Sequence, residues 1–218
     1  MTTAVPAEVE RRPRKQDRAA RRAQLIEAMI DVLATHGYAR ATLTEVARRA
    51  GLSHGLVNFH FATKEGLLTE TMLFLAEEYR ENWTAALAAA PERQEAQLHA
   101  LLMADFEPRI CTPSRLAAWC SFWGEAQSRP LYQENCSSND EEYIRVLEGI
   151  CGRLIAEGGY AGDGRVVARV LRVTVEGVWL DLMTMREPYA RDEALRAVMS
   201  CAAAFFPRHF TKDGLRGE

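Results

Sequence analysis

No stretch of this sequence approaches the roughly 18 to 20 continuous apolar residues that a membrane helix needs, although 48% of its 218 residues are hydrophobic. The first residues, MTTAVPAEVERRPRKQDRAARR, carry no apolar run after their basic side chains, so no secretory signal is read there and a cytoplasmic location away from membranes is expected. Cysteine is too sparse to build a framework. Cys111, Cys120, Cys136, Cys151 and Cys201 are odd in number and form no CxxC pair, which fits thiols in a reducing compartment. His36, His54, His60, His99 and His209 are scattered without an HExxH or similar ligand pair. Missing too are a nucleophile beside a base and a glycine-rich phosphate loop. An enzyme is therefore not expected, and neither is a metal or a cofactor.

Strand periodicity is also absent. Glycine and proline are few, and they fall between long stretches rich in Ala, Leu, Glu and Arg, so the chain reads as all-α. Residues 1–14 read as a flexible basic arm. A first helix is expected from Lys15 to His36, with Leu25, Ile26, Met29, Ile30, Val32 and Leu33 as its apolar stripe and Gly37 as its stop. Thr42-Leu43-Thr44-Glu45 reads as a capping box that opens a short helix, Ala50-Gly51-Leu52 ends it, and Ser53 caps another through Phe59. A long helix follows from Thr63-Lys64-Glu65 to the limit set by Pro91. Further helices are expected over 94–106, 114–128, 131–156 with a possible break near Ser137-Ser138-Asn139, 165–185 and 192–206.

The net charge of −3 says little about partners, but its distribution does. Residues 1–64 hold 11 Lys and Arg against 6 acids, a balance of +5 that leaves −8 for the remainder. A basic end on an acidic body suits one segment that meets a polyanion while the rest does other work, although a solvated charged tail would look the same on charge alone.

Two short helices joined by a few residues with a glycine at the turn are the sequence form of a helix-turn-helix, here Thr42 to Phe61. Val46 and Ala47 must meet Val57 in a tight crossing, which favours small or β-branched side chains. The run TLTEVARRAGLSHGLVNFHF, followed by Lys64, Glu65 and Leu67, resembles the DNA-binding domain of the TetR family of repressors. The resemblance implies an N-terminal three-helix helix-turn-helix domain, residues 15–64, followed by a helical ligand-binding and dimerisation domain, residues 65–218. It implies a palindromic double-stranded DNA operator and a homodimer formed by the last two long helices. The DNA-binding residues it indicates are Thr42, Thr44, Ser53, His54, Gly55, Leu56, Asn58, Phe59, His60 and Lys64. Of these, His54, Gly55 and Leu56 are expected to face the groove, and Thr42, Asn58, His60 and Lys64 the phosphates. The family usually has tyrosines where this chain has Asn58 and Phe59; asparagine can still donate to phosphate and phenylalanine cannot. Arg18, Arg21 and Arg22 can reach phosphates or simply line a solvated helix face.

In the remainder, Trp119, Phe122 and Trp123 lie at i, i+3 and i+4 with Glu125 close by; Tyr132 and Tyr143 follow, and Glu176 and Trp179 sit on a later helix. Large aromatics at helical spacing are the pattern of a core. Aromatic faces with a carboxylate are also what a quaternary ammonium ligand needs. The segments WCSFW, PLY and EGVWL are similar to the BetI-type subgroup, choline-responsive repressors of glycine betaine synthesis genes. That resemblance implies a small-molecule effector, choline or another cation, bound by Trp119, Phe122, Trp123, Glu125, Tyr143, Glu176 and Trp179. The alternative is a repressor of an efflux or catabolic operon that answers to another cationic or hydrophobic ligand.

Overall fold

A computed structural model describes residues 14–126 and 130–217, with side chains at 17–125 and 139–217. The arm, up to residue 13, and the side chains of Tyr132 and Cys136 lie outside the described residues. Among the described residues the chain is nine helices and a hairpin of two two-residue strands, in agreement with the all-α expectation.

Helix α1 (Arg14–Arg40) breaks at Gly37, whose φ of 71° leaves the helical region where the sequence placed the stop. The Thr42 hydroxyl then accepts from the Glu45 amide at 3.2 Å and starts α2 (Leu43–Ala50). The other half of the expected capping box differs. The Glu45 carboxylate turns instead to His36 Nε2, at 2.9 Å, and to Arg48, because two cationic or donor side chains lie within its reach. Gly51 ends α2 at φ 65°, a left-handed position that other residues resist, and the Leu52 amide closes back on the Ala47 carbonyl at 3.0 Å. Ser53 caps α3 (His54–His60) by accepting from the Leu56 amide at 3.2 Å, and Thr63 caps α4 (Lys64–Ala89) by accepting from Gly66 at 3.0 Å.

The body consists of α5 (Gln94–Ala104), α6 (Pro113–Ala126), α7 (Pro130–Gly158), α8 (Gly164–Thr184) and α9 (Arg191–Phe205). Helix α7 is continuous through Ser137-Ser138-Asn139, where the polar residues had suggested a break. The hairpin, β1 (Phe210–Thr211) and β2 (Gly214–Leu215), was not anticipated; it pairs antiparallel and buries Phe210 against α9.

Two apolar cores result. One joins Leu25, Met29, Ile30, Leu33, Val46, Val57 and Leu67 of α1–α4; the other joins Leu98, Leu101, Phe106, Leu147, Leu171, Val198 and Phe206 of the body. Helix α6 belongs to both. Its Ala118, Trp119 and Phe122 complete the first core, and its Trp123 packs against each. Arg115 fixes the same helix electrostatically, with Nε 2.7 Å from Glu78 on α4 and Nη2 3.0 Å from Glu27 on α1.

Candidate nucleic-acid interface and ligand pocket

The crossing of α2 and α3 buries Val46, Ala47 and Val57, so the opposite faces of these helices point outward. Thr42, Thr44, Ser53, His54, Gly55, Asn58 and Phe59 are exposed, and Leu56 is half-buried. A Cβ placed on Gly55 would meet nothing within 4 Å, so the fold itself does not require glycine there, and its bareness leaves room for an outside surface to approach closely. The Asn58 amide lies 3.1 Å from His54 Nδ1, so these two present a joined polar edge.

The structure corrects one placement, that of His60. His60 is only 9% exposed and its Nδ1 has no hydrogen-bond partner among the described residues, whereas Phe59 is 69% exposed. The reason is helical geometry: His60 is three residues beyond Val57, on the packed side of α3, and Phe59 projects from the other side. Burial, followed by the field of Arg18, Arg22 and Arg21, lowers the His60 pKa. Arg22 is likewise engaged within the fold, donating to the His60 carbonyl at 3.0 Å and pairing with Glu70 at 3.0 Å. The Lys64 ammonium donates to the Tyr38 carbonyl at 3.0 Å while remaining part-exposed beside α3.

In the body a pocket of about 310 Å³ opens between α4, α6, α7 and α8, with Tyr79, Trp119, Trp123, Tyr143 and Trp179 among its walls. Trp123 stacks between the other two indoles, 6.2 Å from Trp119 and 6.5 Å from Trp179, with the latter pair only 9° from parallel. Tyr79 meets Trp179 edge-on at 6.0 Å. Acidic groups share this lining: Asp105, Asp140 and Glu176, with Arg172 as the basic member paired to Glu176. Burial raises the Glu176 pKa, and Arg172 opposes it. Although Asp140 is exposed as a residue, the desolvation of its carboxyl by the surrounding protein pushes its pKa to about 6, with Arg172 opposing.

Five of the seven expected ligand residues, Trp119, Trp123, Tyr143, Glu176 and Trp179, are thus brought to one cavity. Phe122 is not part of the lining. It sits a third of a turn from Trp123 on α6 and packs edge-on against Tyr38 at 6.3 Å, in the first core. Glu125 also falls outside the lining. Sequence reasoning missed Tyr79, Asp105, Asp140 and Arg172. For Asp105 a signal was there, since it is the lone acid in the run LLMADF.

Along α8, Val166, Val170, Val173 and Leu180 are exposed at helical spacing, with the bare Gly177 in the same row. Val167 and Val178, on the other side of α8, are buried in the body core.

Two family models match the chain. Residues 25–71 match that of bacterial regulatory proteins of the tetR family, and residues 91–207 match that of the BetI-type transcriptional repressor, C-terminal. The HTH-type transcriptional regulator BetI of Paraburkholderia phymatum is 29% identical over 196 residues, which cover 84% of this chain and 92% of that protein. A solved transcriptional regulator from Pseudomonas aeruginosa PAO1 superposes with a TM-score of 0.70 at 29% identity, over 85% of this chain and 88% of that one. A regulator from Saccharomonospora viridis, solved in complex with choline, gives a TM-score of 0.71 over 88% of this chain and 98% of that one; at 17% identity this is a likeness of fold.

Proposed function

Because this chain belongs to the TetR family of transcriptional regulators and is a repressor with a BetI-type C-terminal domain, we propose that its effector is choline or a related quaternary ammonium compound that controls glycine betaine synthesis or uptake genes. The observation that carries this reading is the pocket, where three indoles and two phenols surround a space bordered by more carboxyls than cations. An ammonium with no N–H to donate is held best by aromatic faces and a nearby negative charge in a desolvated site. The choline found in the Saccharomonospora viridis regulator supports the same class of ligand. The volume also admits a larger lipophilic cation, which keeps an efflux or catabolic operon as the second reading.

The exposed face of α2 and α3 reads the operator, with His54, Gly55 and Leu56 toward the bases and Thr42, Asn58 and Lys64 toward phosphates. A second copy covers the apolar row on α8, which spaces two reading helices about 34 Å apart for a palindrome. Domain limits of 15–64 and 65–218 divide these duties, with α6 carrying the signal between them, since its Trp119 and Trp123 line the pocket while Phe122 and Arg115 grip the α1–α4 core. A ligand acts on DNA affinity only through its differential affinity for the two states, of order 1–3 kcal/mol.

The test is a mobility shift on the DNA upstream of the protein's own gene, with choline, betaine aldehyde and a lipophilic cation. Release by choline supports the first reading, and release by the lipophilic cation alone supports the second. Binding that none of them alters removes cations from the account and leaves the repressor.

A further inference from the structure

Burying a carboxyl at the floor of an aromatic pocket is costly unless its charge is compensated. Asp105, at the end of α5, is 1% exposed. Its Oδ1 accepts from the Tyr79 hydroxyl at 2.7 Å, its Oδ2 from the Tyr143 hydroxyl at 3.2 Å, and its backbone carbonyl from Trp179 Nε1 at 3.1 Å. Residues of α4, α7 and α8 thus converge on it. The titratable groups that face it are Tyr79 from α4, Tyr143 from α7, Glu176 from α8 and Cys111 with Arg191 behind it; Asp140 and Arg172 stand further out in the same pocket. Burial holds both tyrosines far above their usual range, so they stay neutral donors. Arg172 is paired with Glu176, and among the described residues no cation forms an ion pair with Asp105.

We infer that Asp105 is the proton-linked counter-charge of this pocket: a quaternary ammonium ligand displaces its proton and is held by the carboxylate left behind. The inference rests on the cation reading above. In the step, the Asp105 O–H bond breaks, the proton passes to solvent, the electron pair stays on the carboxylate, and the incoming cation balances the charge. Burial, with a smaller contribution from Glu176 and against the two phenol bonds, places the Asp105 pKa at about 7. A cation in contact favours the ionised form and pulls that value down. Affinity for the cation then rises up to about tenfold per pH unit below pH 7 and levels off above it. Asp140 and Glu176 add a dependence of the same sign.

Calorimetric titration of the full chain with choline, tetraethylammonium and the neutral carbon isostere 3,3-dimethylbutan-1-ol, in two buffers of different ionisation enthalpy, tests this. At pH 7 the expected result is release of about half a proton per cation and none for the isostere. Asp105→Asn, which keeps an acceptor for one tyrosine, is expected to bind the cation at least tenfold more weakly at pH 8 and to lose the proton release near pH 7. Tyr143→Phe removes one donor from the carboxylate and is expected to move the midpoint of the affinity profile to higher pH; it serves if the asparagine variant does not fold. Cation binding with a buffer-independent heat and a flat pH profile overturns the inference and leaves the cation reading intact. No heat with either cation overturns both.

Discussion

The reading head and the ligand pocket use polar side chains in opposite ways. In the head the caps that open the helices join near neighbours that face solvent: Thr42 with Glu45, Ser53 with Leu56 and Thr63 with Gly66 are each three residues apart. In the pocket the partners of Asp105 are buried or half-buried and lie 26, 38 and 74 residues away in Tyr79, Tyr143 and Trp179. A local cap shapes one helix end, whereas a long-range buried bond ties whole helices together. A change on the surface of the head should therefore alter what is presented to DNA with little effect on stability. A change in the pocket should alter recognition and stability together.

The strongest way to break this comparison is Trp179→Ala. It empties a buried site and leaves the Asp105 carbonyl without its donor, so a loss of about 3–5 kcal/mol is expected in urea unfolding. Operator affinity of the folded fraction should stay within a few-fold. A parallel collapse of DNA binding would show that the two regions are not separable. Next in size is the response to pH. Glu45 is held down to about 2, first by its bond to Arg48 and then by His36, so its contribution persists above 4.5 and is lost only as pH falls from there toward 2. Asp105 runs the other way. Its folded value of about 7 lies above its ordinary 3.8, so between these the folded chain holds a proton that the unfolded chain has released. Stability therefore falls as pH rises through that window, by up to about 1.4 kcal/mol per unit. Denaturant midpoints from pH 4 to 7.5 check it, with Asp105→Asn expected to flatten the decline; His60 and His99, both held low by burial, oppose it below pH 6.5 in either protein.

The same contrast explains what could be read in advance. The turn at Gly51 and the caps at Thr42, Ser53 and Thr63 were legible because donor and acceptor sit within one helical turn, and so was the all-helical class. Trp119, Trp123 and Trp179 were legible as a type, since aromatics near acids suggest a cation site, but spacing could not separate pocket from core. Phe122 shows why: it shares α6 with two lining tryptophans, yet its angular position turns it toward Tyr38. His60 was misplaced for the same reason on α3. Asp105 stood out only as a lone acid in an apolar run, and its role was out of reach because each of its partners comes from a different, distant helix.

Helix α6 is the place where the comparison can be sharpened. Arg115→Met removes the bridges to Glu27 and Glu78 while keeping most of the side-chain bulk. Operator affinity without effector is expected to change little, and the shift produced by a saturating cation to shrink by about 0.5–2 kcal/mol. Mobility shifts with and without choline measure both quantities.

The smallest effect on stability is expected at Phe59. It is 69% exposed, with its ring edge-on to His60 at 5.2 Å and the Arg18 guanidinium 5.9 Å from the ring centre, so Phe59→Ala should leave unfolding within about 0.5 kcal/mol of the parent. Its effect belongs to DNA. A phenyl ring pairs with no phosphate, so loss of affinity should come without a change in the slope of log affinity against log salt, whereas Lys64→Ala should lower that slope by about 0.9. The two variants separate apolar contact from charge neutralisation on one surface. An unchanged slope for Lys64→Ala would mean that its ammonium serves only the Tyr38 carbonyl and that the head meets phosphate through its exposed hydroxyl and amide groups instead.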